Sequence, residues 1–179
     1  MSTAGPSAQQ TVASPRLGLL ARFSDAFPSP LQVLFGSILW GTGYSLTILA
    51  GFWLRNGLAI VDPLPIAALY FYGAAAAFAP GLFLCNLFFR RKAPLPAAIA
   101  TLLFLLFTHA VTAGLFALQY RIFYAAWHAN FPSITWFFQL AFTSAAAVYQ
   151  FTVTTLFSYL PGLPLLFAAY FFWFLRHRD

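Results

Sequence analysis

Residues 95–120 read LPAAIATLLFLLFTHAVTAGLFALQY, a run without a single charged side chain. The hydrocarbon core of a bilayer is about 30 Å thick, so a helix that rises about 1.5 Å per residue crosses it in roughly 20 residues. Basic residues flank the run, with Arg90, Arg91 and Lys92 before it and Arg121 after it. The stretch therefore predicts a transmembrane helix.

Two further apolar runs, residues 31–54 and 64–89, have a similar length and also lack charged side chains. Across the whole chain, 61% of the residues are hydrophobic and 7% are charged. Soluble domains have about 45–50% apolar and about 25% charged residues. A surplus this large must face lipid, because a soluble domain of this size could not bury it.

The last apolar stretch, residues 134–175, would be about 63 Å long as one helix, twice the thickness of a bilayer. Residues 160–164 read LPGLP, and two prolines around a glycine predict a break there. One interpretation is that the chain crosses twice, with a tight turn at the break. The other is one crossing, either from about Val148 with a kink at Pro161 or from Ile134 with a re-entrant segment after it.

The positions of the basic residues favour an even number of crossings, because Lys and Arg accumulate on the cytoplasmic side. Four crossings place seven basic residues inside and two outside, whereas five give five against four. The seven are Arg16, Arg22, Arg90, Arg91, Lys92, Arg176 and Arg178. We therefore predict an all-α, polytopic integral membrane helical bundle with four transmembrane helices, five being the alternative. Both termini are expected in the cytoplasm, and the expected location is a bacterial inner membrane.

The first thirty residues differ from the rest. Residues 1–14 are small and polar, and in residues 16–27 the apolar side chains of Leu19, Phe23 and Phe27 recur every four positions. This spacing is typical of an amphipathic helix lying on a membrane surface. The predicted organisation is therefore a tail with a surface helix, residues 1–30, followed by a transmembrane bundle, residues 31–179.

Small residues spaced four apart predict where the spans pack, because membrane helices associate through close backbone approach. Chance could also produce such patterns in an alanine-rich chain. The predicted packing positions are Ser37, Gly41 and Ser45 in the first span and Gly73, Ala77 and Gly81 in the second.

His109 is the ionisable side chain nearest the middle of any predicted span, with Thr108 and Thr112 beside it. An ionisable residue inside a membrane is a functional candidate. The alternative is a neutral histidine that hydrogen-bonds a threonine or a facing helix. Other polar residues in the apolar runs are expected to form hydrogen bonds between helices or to line a solute path. They are Tyr44, Thr47, Tyr70, Tyr72, Asn86, Gln139, Thr143, Gln150, Thr152, Thr154 and Thr155.

No second histidine lies at depth for a bis-histidine haem, and the single Cys85 excludes a disulfide or a thiolate zinc site within the chain. We therefore expect no cofactor, no metal and no enzymatic activity, since no carboxylate or activated nucleophile lies within the spans. The basic residues sit at span ends, so nucleic acid is not an expected partner.

The expected function is a non-catalytic accessory or assembly subunit of a larger membrane protein complex. Its expected partners are the lipid bilayer and other membrane protein chains, or further copies of itself. The alternative is a small homo-oligomeric transporter, channel or pore-modulating protein, since small-residue ladders and threonine-rich helix faces also suit oligomeric packing.

Overall fold

A computed structural model describes residues 19–56, 62–89, 93–124 and 128–176, and these ranges form six helices and no strand. Four of the helices, α2 to α5, are long and apolar enough to cross a membrane. The predicted all-α membrane bundle with four spanning helices is confirmed. The helices are α1 Leu19–Ala26, α2 Pro30–Asn56, α3 Pro63–Phe88, α4 Pro94–Tyr124, α5 Ile134–Tyr159 and α6 Leu163–Arg176.

Proline begins three of the spanning helices, α2, α3 and α4. The first helical position tolerates proline because its amide would lack an intrahelical partner in any case. α3 is also capped by the Asp62 carboxylate, which accepts a hydrogen bond of 3.1 Å from the Leu64 amide. Ser133 caps α5 in the same way, accepting from the Trp136 amide at 3.1 Å. These local signals explain why the predicted and observed starts of the helices agree within one residue.

The apolar stretch 134–175 is broken where the sequence predicts, between Tyr159 and Leu163. The chain nevertheless continues past the break in one direction, because its contacts advance steadily along α2. As the chain runs from α5 into α6, the residue that it contacts in α2 moves steadily toward the start of α2. The contacts are Phe157 with Arg55, Ser158 with Gly51, Gly162 with Thr47, Leu166 with Gly43 and Tyr170 with Trp40. α6 therefore extends the path of α5 instead of turning back beside it, which fits four crossings and not five.

Helix α1 packs against the end of α3. The Phe27 and Phe83 rings lie 4.7 Å apart, and the Asn86 carboxamide donates to the Ala26 carbonyl oxygen at 3.2 Å. Phe23 in α1 and Phe27, the residue that follows the helix, remain 45% and 67% exposed, so this segment also keeps an apolar surface. The predicted amphipathic helix thus corresponds to Leu19–Ala26, and the predicted tail over residues 1–14 lies outside the described residues.

α3 lies between α2 and α4, and small residues line both interfaces. A methyl group added to Gly41 of α2 would lie 2.8 Å from the Phe71 carbonyl oxygen, and the Ser45 hydroxyl donates to the Ala67 carbonyl oxygen at 2.9 Å. Ser37, the third predicted position on α2, is half-buried.

The α3–α4 interface is equally close. A methyl group added to Gly73 would lie 2.8 Å from the Cα atom of Thr112, and one added to Gly81 would lie 2.8 Å from the Phe104 ring. Ala77 between them is fully buried. In α4, by contrast, Gly114 has no atom within 4 Å of such a methyl group.

Candidate functional site

Polar side chains from four helices meet in the middle of the bundle, and in the hydrocarbon core of a membrane each donor needs a protein partner. We refer to these side chains as the polar layer; they are Trp40, Tyr44, Tyr70, Thr108, His109, Thr112, Thr152, Thr155 and Tyr159. The Trp40 indole donates to the Thr108 hydroxyl at 3.1 Å, linking α2 to α4. Thr108 and Thr112 donate in turn to carbonyl oxygens one turn earlier in α4, those of Phe104 and Thr108, at 2.9 and 2.8 Å. Both threonines are completely buried. They are partnered groups that hold α4 against α2 and α3.

His109 faces a different neighbour from these two threonines. Its Nε2 atom lies 3.3 Å from the Thr152 hydroxyl of α5, and its ring centroid is 5.2 Å from that of Phe151. The side chain is half-buried, whereas Thr108 and Thr112 are not exposed at all. The structure thus separates the three predicted site residues: His109 contacts α5, and the two threonines face the interior formed with α2 and α3.

Three tyrosines form the centre of the polar layer. Tyr44, Tyr70 and Tyr159 come from α2, α3 and α5, and their ring centroids lie 4.8 to 6.0 Å apart. The Tyr70 hydroxyl shares a hydrogen bond of 2.6 Å with the Thr155 hydroxyl. The Tyr44 hydroxyl lies near those of Tyr159 and Thr112. Among the described residues, however, the buried Tyr159 hydroxyl has no well-aligned hydrogen bond.

A cavity of about 230 Å³ separates α4 from α5 and the start of α6. Tyr44 and Tyr159, which are 1% and 4% exposed, border it, and so do His109 and Thr152. The rest of the lining is aliphatic, consisting of Leu102, Leu105, Leu106, Leu156 and Leu163. The surface of the cavity is therefore almost entirely apolar, although four polar residues border it.

A second feature is the outward face of α5. In its most apolar stretch only 17% of the residues are buried, against 39% in α3 and α4. Tyr149 is 71% exposed, Gln150 is exposed beside it, and neither side chain hydrogen-bonds another described residue. The exposed aromatic and small residues on this face are Phe138, Phe142, Ala145, Ala146 and Tyr149. We refer to these five residues as the α5 outer face.

The chemistry available at depth is hydrogen bonding. In the described ranges no three His, Cys, Asp or Glu side chains come close enough together to hold a metal ion. Cys85 is buried at the α3–α4 interface, with its thiol 3.5 Å from the Ala100 carbonyl oxygen. The site therefore offers donors and acceptors of neutral type within an aromatic and aliphatic surrounding.

The sequence indicated which types of residue form this site, but not which individual residues come together in it. Of the eleven polar residues recognisable inside apolar runs, four lie in the polar layer, namely Tyr44, Tyr70, Thr152 and Thr155. Tyr159 was missed, because its position at the end of α5 resembles that of an interfacial aromatic residue. A useful signal was available, since Tyr159 directly precedes the break at residues 160–162, where a broken helix exposes its terminus inside the bundle.

Comparisons of this chain with protein-family models, with curated proteins and with solved structures found no match.

Proposed function

We propose that this protein is a non-catalytic accessory or assembly subunit of a larger membrane protein complex, and that α5 carries its contact with a partner chain. The observation that supports this most directly is the low burial of α5, a spanning helix whose outer face carries the exposed side chain of Tyr149. Within a bilayer, a tyrosine hydroxyl that faces lipid lacks hydrogen-bond partners. A neighbouring transmembrane helix would supply them.

The pattern of side chains on the α5 outer face supports a helical partner. Ala145 and Ala146 lie between Phe142 and Tyr149, so small residues alternate with aromatic ones along the surface. Small residues permit close backbone approach between membrane helices, and aromatic rings fill the space on either side. A partner helix could therefore pack against the alanines and form a hydrogen bond with Tyr149.

The orientation belongs to the same proposal. The basic residues after α3 and at the end of α6 outnumber those in the last turns of α2 and α4, and this distribution supports a cytoplasmic position of both termini. The location that we propose is the inner membrane of a bacterial cell. A cytoplasm-active reporter fused after Asp179 is expected to be active. Activity only in a periplasmic reporter at that position would contradict this orientation.

Site-specific photo-crosslinking in native membranes tests the partner. A photoreactive phenylalanine analogue is placed at Phe142 on the α5 outer face or, as a matched control, at Leu39 on α2; both positions are 72% exposed. We expect adducts with a different membrane protein from position 142 and only lipid adducts from position 39. Mass spectrometry identifies the captured chain.

The other outcomes separate the alternatives. Adducts between two copies of this chain at position 142 would contradict the accessory role and support the homo-oligomeric transporter or channel. Only lipid adducts at both positions, together with a lone monomer in native mass spectrometry from membranes, would contradict both functions.

A further inference from the structure

A groove runs along the outer side of the contact between α3 and α4. Two rows of large side chains form its walls, Leu84 and Phe88 on α3 and Leu103 and Phe107 on α4. Side chains four residues apart lie one above the other on a helix, so both rows run parallel to the helix axes. The groove therefore follows the direction in which lipid acyl chains lie beside a membrane protein.

Buried residues close the groove from behind. Gly81 and Cys85 of α3 and Phe104 of α4 lie between the two rows and are buried. Apart from the Cys85 thiol, which donates to the Ala100 carbonyl oxygen, the lining side chains are apolar. Three of the four wall side chains are exposed, and the space between them measures about 270 Å³. The groove is thus open to lipid and surrounds a hydrocarbon chain with apolar groups on three sides.

The length and position of the groove correspond to one leaflet of a bilayer. Its lining on α3 begins at Gly81 and ends at Phe89, the residue that caps α3, a distance of about 12 Å along the helix axis. Half of the hydrocarbon core measures about 15 Å. A partner helix that spans the membrane would need a groove through both leaflets, whereas an acyl chain needs a groove through one. The dimensions therefore favour a lipid over a protein partner.

Positive charge gathers at the same end of α3. Residues 90–92, which follow Phe89 in the sequence, read RRK. α6 ends on this side as well, because the Tyr170 ring stacks on that of Phe104 at 4.0 Å and the helix ends six residues later at the exposed Arg176. The mouth of the groove thus lies at the basic end of the bundle.

This charge selects among phospholipid headgroups. Every phospholipid carries a phosphate, but a choline headgroup adds a positive charge that basic residues repel. The glycerol headgroup of phosphatidylglycerol leaves the lipid anionic. Each Lys or Arg near a membrane surface strengthens binding to anionic lipid about fivefold. Since acyl chains are equally apolar elsewhere in the bilayer, the groove supplies close packing, and the charge supplies the preference for an anionic headgroup.

We propose that this groove binds an acyl chain of an anionic phospholipid, with the lipid phosphate at the basic end of α3. The chain would fill the space between the two rows of side chains and contact both helices. The site lies on α3 and α4 and not on the α5 outer face, so it does not depend on the proposed partner contact.

Native mass spectrometry of the delipidated full chain in detergent micelles tests the proposal by lipid titration. The probes are dioleoyl phosphatidylglycerol and dioleoyl phosphatidylcholine, which share their acyl chains and differ in charge. We expect one phosphatidylglycerol per chain, bound at least about tenfold more tightly than phosphatidylcholine. Glycerophosphoglycerol, the same headgroup without acyl chains, should not displace the lipid, because the groove holds a chain.

One pair of variants tests the groove. Leu103→Trp fills it from a wall position that is 47% exposed, whereas Leu102→Trp places the same side chain at the neighbouring residue, which is 52% exposed and lies outside the groove. We expect Leu103→Trp to weaken phosphatidylglycerol binding at least about fivefold, the lower end of the effect of overpacking. Leu102→Trp should bind the lipid like the unaltered protein.

A second pair tests the charge. Arg90→Gln, Arg91→Gln and Lys92→Gln together remove three positive charges that follow the groove residue Phe89 in the sequence. We expect this triple variant to bind the two lipids within about twofold of each other. The control removes the same number of charges at other positions and should keep most of the preference; it combines Arg16→Gln, Arg22→Gln and Arg178→Gln.

All four variants should keep their helical circular dichroism and a single gel-filtration peak, since Leu103 is exposed and no substitution lies in the packed core. Equal binding of the two lipids by the unaltered protein, or displacement by glycerophosphoglycerol, would overturn the proposal. Equal effects within either pair of variants would overturn it as well, because a diffuse attraction between a basic protein and an anionic lipid does not distinguish these positions. A protein chain that co-purifies from native membranes and is released by Leu103→Trp would assign the groove to a protein contact instead.

Discussion

Helices α3 and α5 have the same length, 26 residues, and both are apolar, yet α3 is enclosed by other helices and α5 lies at the surface of the bundle. α3 is enclosed by α2 on one side and α4 on the other, and glycines at both contacts bring the backbones together. α5 packs on α2 and α4 with one side and leaves most of its residues exposed. Hydrophobicity does not distinguish the two helices, but small residues and partners do.

The physical reason is that lipid tails are as apolar as leucine, so burying an apolar side chain against another helix gains little hydrophobic free energy in a membrane. Close backbone approach and hydrogen bonds decide which faces become internal. α3 has Gly73, Ala77 and Gly81 along the α4 contact. The outer face of α5 has comparable small residues, Ala145 and Ala146, without a neighbour in this chain. The comparison predicts that a bulky substitution at the contacts of α3 disrupts the fold, whereas a bulky substitution where α5 packs on α2 is partly tolerated.

The largest effect is expected for Gly73→Leu. Even a methyl group at this position would lie 2.8 Å from the Cα atom of Thr112, and α3 cannot move away because α2 lies behind it. Overpacking of a close contact costs about 1–3 kcal/mol and sometimes more, so we expect about 3 kcal/mol or more, seen as a loss of the single gel-filtration peak in detergent. Gly114→Leu is the control, since no atom lies within 4 Å of an added methyl group there. Equal damage from both variants would show that α3 is not specially enclosed.

A smaller effect is expected for Gly51→Val, which tests the contact between α2 and α5. A methyl group at Gly51 would overlap the backbone carbonyl of Ser158, so α5 must shift. Its opposite side is exposed, and the helix has room to move outward. We expect a cost of about 1–3 kcal/mol, measured as a lower thermal midpoint of a protein that still elutes as one peak. A loss of stability as large as that of Gly73→Leu would contradict the difference between the two helices.

The same contrast explains what the sequence could predict. The ends of the spans are determined by nearby residues. Prolines at positions 30, 63 and 94 mark helix starts, and the LPGLP stretch at 160–164 marks the break, without knowledge of the fold. Nearby residues do not determine which side of a helix faces the rest of the protein. α4 is apolar all round, so no periodicity shows that Thr108 and Thr112 face α2 and α3 while His109 faces α5.

The small-residue pattern shows the same limit. Gly73 and Gly114 are each part of a four-residue spacing with an alanine, yet Gly73 lies at a close helix contact and Gly114 does not. The difference arises from how the helices are rotated about their axes. That rotation is fixed by long-range contacts such as the hydrogen bonds from Trp40 to Thr108 and between Tyr70 and Thr155.

The smallest effect is expected at the single hydrogen bond between His109 of α4 and Thr152 of α5. His109→Leu removes it and leaves the Thr152 hydroxyl to find another partner, which should cost about 0.6–1.7 kcal/mol by the magnitudes measured between membrane helices. His109→Gln should cost less, because a carboxamide keeps a donor and an acceptor.

A double-mutant cycle with His109→Leu and Thr152→Val isolates this bond from the packing of either side chain. If the bond joins α4 to α5, the loss in the double variant should be smaller than the sum of the two single losses, by about 0.6 kcal/mol or more. The measurement is reversible unfolding in mixed micelles, with Thr143→Val as a control because that hydroxyl donates within its own helix, to Gln139, at 2.6 Å. Strict additivity with Thr152→Val would mean that His109 does not fasten α5. The attachment of that helix would then rest on its backbone contact with α2 at Gly51 and on the Tyr70–Thr155 hydrogen bond to α3.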